Sequence, residues 1–171
     1  MADLSNAQLA GLIDLLQQLL AAHQRLLGLA LARQNAMQTC DLGRLNDLLE
    51  RERPEVQALE RLEKQRKYLL HQLRIAAGPG QLGANPSITE IAERSPEPVR
   101  SELLGLAGKL KTVLTELGRV NRMNAKVSQG VTTGLAKVLG ALTGLAQHAG
   151  LYLANGRKAV IKGVHLLDAL A

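Results

Sequence analysis

The residue types that could do chemistry are few in this chain and poorly placed for it. Its four histidines, His23, His71, His148 and His165, lie far apart and have no cysteine or carboxylate companions at ligand spacing, so no metal site is indicated. The single cysteine, Cys40, has no histidine nearby to act as its base. Serines and threonines fall mainly at helix starts or in glycine-rich stretches, and no carboxylate stands alone in an apolar run that would raise its pKa for acid–base work. These residues predict a protein that is not an enzyme and uses no cofactor or metal. Its function must then lie in a surface.

The most informative polar residues are two asparagines, Asn121 and Asn124. They interrupt a run of apolar positions recurring in steps of three and four: Leu103, Leu106, Leu110, Val113, Leu117, Val120, then Asn124, then Val127, Val131, Val138 and Leu145. That spacing is the seam of a long helix lying against other helices. An asparagine inside such a seam fixes register if it is buried, because the wrong alignment leaves its amide without hydrogen bonds. The alternative is a partly solvated side chain at the edge of the seam.

Four helices position these residues. The first is expected over about 5–39: Ser5 and Gln8 have capping-box spacing, Leu4 and Leu9 that of a hydrophobic staple, and Leu9, Ile13, Leu16, Leu20, Leu27 and Ala30 form a stripe flanked by Leu12, Leu19, Leu26 and Leu29. The second, over 42–76, is capped by Asp41, and so short a connection makes it an antiparallel neighbour. Its apolar stripe includes Leu45, Leu48, Leu49, Val56, Leu59, Leu69, Leu70 and Leu73, and its other face mixes acids and bases as a solvated, ion-paired surface does. Pro54 predicts a kink, or a break and restart, near Arg53.

Gly78-Pro79-Gly80 stops this helix and opens a proline-rich linker over 78–99, within which Ser87 and Glu90 predict a short capped helix over 88–94. The third long helix is expected over 96–149, with Pro96 in its first turn. At about 1.5 Å per residue it would reach about 80 Å against about 50 Å for each partner, so its end should overhang.

The fold class is therefore all-α: an elongated antiparallel helical bundle or coiled coil of three long helices, the third the longest, with a short helix in the 78–99 linker. One bundle domain is expected over 1–150, followed by a flexible or amphipathic tail over 151–171. The composition agrees, since leucine and alanine dominate and the 171 residues include no Phe or Trp and two Tyr. One cysteine rules out an internal disulfide, and the start Met1-Ala2-Asp3 lacks the features of a secretion signal, which together point to a reducing cytoplasm. The longest uncharged run, Val138 to Gly156, is diluted by glycines and polar residues and falls short of a membrane span, so no stable membrane insertion is expected.

The net charge of +6 is uneven: residues 1–100 carry twelve basic and twelve acidic side chains, residues 101–171 nine and three. The basic residues are scattered singly, with no aromatic platform or phosphate-binding glycine loop beside them, so a solvated helix face is favoured over a nucleic-acid site.

The expected overhang is rich in glycine. Four interior glycines weaken a helix by roughly 3 to 4 kcal/mol relative to alanine, yet Val131, Leu135, Val138, Leu139, Leu142 and Leu145 keep an apolar face. This face reads as a groove that orders fully on a partner, the alternatives being an ordinary self-packed helix end or a homodimer contact. Beyond it Tyr152 precedes an Asn155-Gly156 turn signal, and Val160, Ile161, Val164 and Leu167 share one helical face. That tail is either a docking segment or folds back on the bundle.

Four of these features carry a resemblance. The two antiparallel N-terminal helices, the short helix after Ser87 and the segment Leu117-Gly118-Arg119-Val120-Asn121-Arg122-Met123-Asn124 look like those of the FlgN-type flagellar export chaperones, as does Tyr152 with Asn155-Gly156-Arg157. The resemblance covers about residues 5–157. It implies a cytosolic, non-enzymatic chaperone that binds the C-terminal helical segments of the hook-filament junction proteins (FlgK and FlgL types), keeps them unpaired and delivers them to the flagellar type III export apparatus. It also implies that the C-terminal region carries substrate binding. Two features depart from the family's usual pattern: the basic C-terminal part, where such chaperones are often acidic, and Pro54. The rival reading is a structural coiled-coil adaptor or scaffold that self-associates or holds a permanent partner.

Overall fold

In the structure, a computed structural model, residues 6–148 are described, with side chains described through Ala141. The described chain is all-α: α1 over Asn6–Gln38, α2 over Leu42–Ala77, α3 over Ile88–Glu93 and α4 over Val99–His148. At 50 residues α4 is the longest, against 33 for α1 and 36 for α2. The expected cap and staple at Ser5 and Leu4 lie outside the described residues.

The turn between α1 and α2 is built from two interlocking caps. The N–H of Cys40 donates to the Met37 carbonyl (3.3 Å) and that of Asp41 to the Ala36 carbonyl (2.9 Å), with Cys40 at φ 53. This is a Schellman ending, in which a left-handed residue lets the last carbonyls of a helix find donors. The Asp41 side chain then accepts from the Arg44 N–H at 2.9 Å and caps α2. Cys40 is exposed and occupies a position that suits glycine. Cys40→Gly is expected to raise the unfolding free energy by about 1 kcal/mol, read as a higher urea midpoint at unchanged slope.

Pro54 does not interrupt α2, which runs unbroken from Leu42 to Ala77. The proline is exposed, on the face away from α1, so the carbonyl it leaves without a donor is open to water. The helix ends at Gly78, whose φ of 91 requires glycine. The short helix α3 is capped at Ser87, whose Oγ accepts from the Glu90 N–H at 3.1 Å. The Glu90 carboxylate accepts from the Gly83 N–H at 2.8 Å, so the second half of the expected capping box instead ties down the linker.

The start of α4 also differs from expectation. Its first helical residue is Val99, three past Pro96, and the Glu97 carboxylate holds the first turn by accepting from the Ser101 N–H (3.3 Å) and hydroxyl (2.7 Å). Ser95 closes α3 by donating to the Ile91 carbonyl at 2.9 Å.

The core unites Leu9, Leu12, Leu16 and Leu19 of α1, Leu70 and Leu73 of α2, Ile91 of α3, and Leu103, Leu106 and Leu110 of α4. The N-terminal half of α1 thus meets the C-terminal half of α2 and the N-terminal half of α4. Accordingly α2 runs antiparallel to the other two. The buried face of α1 is centred on Leu12, Leu16, Leu19, His23, Leu26 and Ala30, while Ile13, Leu20 and Leu27 of the expected stripe are half-buried at its edge. In α2, Leu49 and Val56 are exposed, contrary to their place in the expected stripe, and α1 and α2 are bridged in this stretch by Arg25 with Glu55 (2.9 Å) and Arg33 with Glu52 (2.6 Å).

His23 is a buried polar member of the core. Its burial pushes the imidazole below the ordinary histidine value, and the Glu63 carboxylate pulls partly the other way. Since the unfolded chain takes up this proton first, near pH 6.5, the stability that neutral His23 supports is present above that pH and is lost as pH falls through its lower folded value. The urea midpoint is expected to drop as pH falls below 6.5, and His23→Gln, neutral throughout, is expected to flatten that part of the profile.

Candidate partner-binding face

The site grows out of one repeat on α4. Leu103, Leu110, Leu117 and Asn124 are spaced by seven residues, as are Leu106, Val113 and Val120 between them. Two such series three and four residues apart make the seam of a helix packed on others. Leu103, Leu106, Leu110, Val120 and Asn124 are buried, and Val113 and Leu117 half-buried.

Asn124 is 4% exposed and its Nδ2 donates to the Ala30 carbonyl of α1 at 2.9 Å. It is buried inside the seam and not solvated at the seam's edge. The fully buried alanine opposite leaves room for the amide to reach the main chain. Its Oδ1 is buried and has no hydrogen-bond partner among the described residues, so the site holds this residue at a cost.

Asn121 is exposed and accepts from Arg33 Nη2 at 2.9 Å, while Arg33 Nη1 donates to Glu52. One guanidinium therefore joins α1, α2 and α4. Sequence reasoning missed Arg33. Its signal was available, since Leu12, Leu19, Leu26 and Arg33 are spaced by seven, as are Leu9, Leu16, His23 and Ala30.

Past Asn124 the repeat continues but burial stops. The chain divides into two compact units, residues 1–126 and 127–171. Within the second, Val127, Val131 and Val138 continue the α4 spacing, with Leu135 beside them. Their exposures are 36%, 57%, 57% and 59%. Every residue from Ala125 to Ala141 is exposed, although the helix is unbroken. Val131, Leu135 and Val138 are thus brought together as an accessible apolar face on three consecutive turns. The side chains of Leu142 and Leu145, and all of Tyr152, Val160, Ile161, Val164 and Leu167, lie outside the described residues.

The described residues offer little else to a ligand: no group of three or more His, Cys, Asp or Glu could hold a metal ion, and no helix is long and apolar enough to cross a membrane.

The family described as FlgN protein matches residues 1–159 of this sequence. The chain belongs to the FlgN family. No curated protein and no solved structure matches it significantly. FlgN proteins are a family of flagellar export chaperones, not known as enzymes, and membership gives this chain the chaperone role in general terms, with flagellar proteins as its partners. The match spans the helices of the first unit and all of α4, so the exposed face belongs to the FlgN-related part of the chain.

Proposed function

We propose that this FlgN-family chain is a cytoplasmic export chaperone for the hook-filament junction proteins (FlgK and FlgL types), binding their C-terminal helical segments, blocking premature association and delivering them to the type III export apparatus. The observation that carries this reading is the apolar face of α4 left accessible in a chain of this family. An amphipathic helix laid along Val131, Leu135 and Val138 would cover that face and hide its own apolar stripe. In this reading the helical body over 1–150 presents the face, with Leu142 and Leu145 extending it. The tail over 151–171 adds Tyr152, Val160, Ile161, Val164 and Leu167 as a second contact. Asn121 and Asn124 serve as the structural polar seam of α4, Asn124 by its bond to the Ala30 carbonyl and Asn121 by its bond to Arg33.

The test is co-purification of the full chain, and of a truncation ending at Gly150, with FlgK- and FlgL-type proteins from the same cells. Capture by the full chain that is weakened in the truncation is expected. Capture of neither protein, together with a stable self-association of the chain, would replace the chaperone with the scaffold reading.

A further inference from the structure

The C-terminal half of α2 is charged in one sense. From Lys64 to Thr89 the sequence holds Lys64, Arg66, Lys67 and Arg74 and no aspartate or glutamate. Arg66 is taken by Glu63 at 2.9 and 3.0 Å. Among the described residues Lys64, Lys67 and Arg74 have no carboxylate within ion-pair distance, whereas Arg25, Arg33 and Arg53 each pair with a glutamate in the first half of the helix. The helix dipole accounts for Arg74, which sits in the last turn, but it has faded by Lys67 and Lys64. The acid that precedes them on the same side is Glu60, exposed one turn before Lys64 and not paired with it.

With about 100° between successive residues of a helix, Lys64, Lys67, Tyr68, His71 and Ile75 fall within about 100° of arc, on the side away from the buried Leu73 and Ala77. All five are exposed, and Tyr68 and Ile75, two turns apart, show 67% and 59% of their surface. The two lysines thus border the two apolar side chains on one face, inside one compact unit. Lys67 and His71 also line a crevice of about 640 Å³ whose other wall includes Asn85, Pro86 and Ser87 of the linker, and no carboxylate lines it.

We infer that this face of α2 docks an acidic segment of a partner protein. Apolar side chains of that segment cover Tyr68 and Ile75, and its aspartates or glutamates meet Lys64 and Lys67 and reach into the crevice. The inference stands on α2 and does not rest on the chaperone reading, which stands on α4. A tyrosine offers a large apolar body with a polar tip and is favoured at contacts between proteins. Nucleic acid fits less well, since this face has one ring to stack on and an isoleucine that cannot stack. A membrane surface fits less well too, because two apolar side chains bury little in it. In a second copy of this chain five glutamates are already paired with arginine. Charge pairs at the rim of a contact select the partner more than they add affinity, so the expected signature is a salt-sensitive preference.

The experiment uses the full chain and three helical peptides that share two leucines two turns apart and carry glutamate, glutamine or lysine beside them, titrated by fluorescence anisotropy. At about 50 mM sodium chloride the glutamate peptide is expected to bind at least about tenfold more tightly than the glutamine peptide, and the ratio to shrink at about 500 mM. Lys64→Glu/Lys67→Glu is expected to make the lysine peptide the preferred one. Tyr68→Ser/Ile75→Ser is expected to weaken the glutamate peptide about tenfold or more. Lys126→Glu/Lys137→Glu, altered elsewhere among the chain's bases, should leave it within about twofold. The substituted side chains are all exposed, so urea midpoints close to that of the parent are expected. Equal binding of the peptides, a preference that survives Lys64→Glu/Lys67→Glu, or full binding by Tyr68→Ser/Ile75→Ser would overturn the inference. So would tighter binding of phosphatidylserine vesicles or single-stranded DNA that is lost in Lys64→Glu/Lys67→Glu, or a dimer in sedimentation that the same variant abolishes.

Discussion

Aspartate at both Val131 and Leu135 is expected to weaken capture of junction-protein helices at least about a hundredfold, since apolar anchors of such contacts are each worth about 2 kcal/mol or more and a buried carboxylate adds its own penalty. The free chain should hardly register the change. Both side chains are more than half exposed, so little burial is lost, and two helix-surface substitutions of this kind cost about 1 kcal/mol at most. Calorimetric titration against the C-terminal segments of FlgK- and FlgL-type proteins, beside urea unfolding of the variant, separates the two effects. Retained binding by a folded variant would remove this face from the proposed function.

The opposite pattern is expected at Leu103, which lies 28 residues earlier in the same seven-residue series as Val131. Leu103 is fully buried in the cluster shared by all four helices. Leu103→Ala should lower the unfolding free energy by about 2 to 5 kcal/mol, the lost transfer energy plus the cavity left behind. Against the 5 to 15 kcal/mol typical of a domain, roughly, that is a large fraction, visible as a marked drop in Tm. The folded fraction should still bind its partner with unchanged affinity. One repeat on one helix thus serves packing at its start and is available for recognition further on, and the two variants read these roles separately.

The helices were legible because leucine spacing is a strong signal over 30 or more residues, and the caps at Asp41 and Ser87 because one side-chain oxygen and one N–H define them locally. The centre of the α1 face was less so: leucines on neighbouring positions blur a stripe, and its polar members, His23 and Arg33, hid the repeat that a count in sevens brings out. Pro54 illustrates a different limit. A proline's cost depends on whether the orphaned carbonyl meets water, which requires knowing which face of α2 is exposed. Likewise Glu90 had two N–H groups within reach, and the fold of the linker decided for Gly83.

Of the candidate site, the apolar positions of α4 and the place of Asn124 in the seam could be read in advance. That its amide donates to the Ala30 carbonyl could not, because the partner lies 94 residues away on a surface defined only by tertiary packing.

The shared role of Asp41 bears on how chains of this architecture can vary in length. Its N–H closes α1, its carboxylate caps α2, and its carbonyl accepts from Leu45, so the turn holds no spare residue. One inserted residue would break one cap or the other and rotate α2 by about 100°, carrying its charged face toward the core. Insertions are therefore expected to be excluded from 39–41 and tolerated at the exposed Ala84 and Asn85, which lie between the residues that hold the 78–87 loop in place.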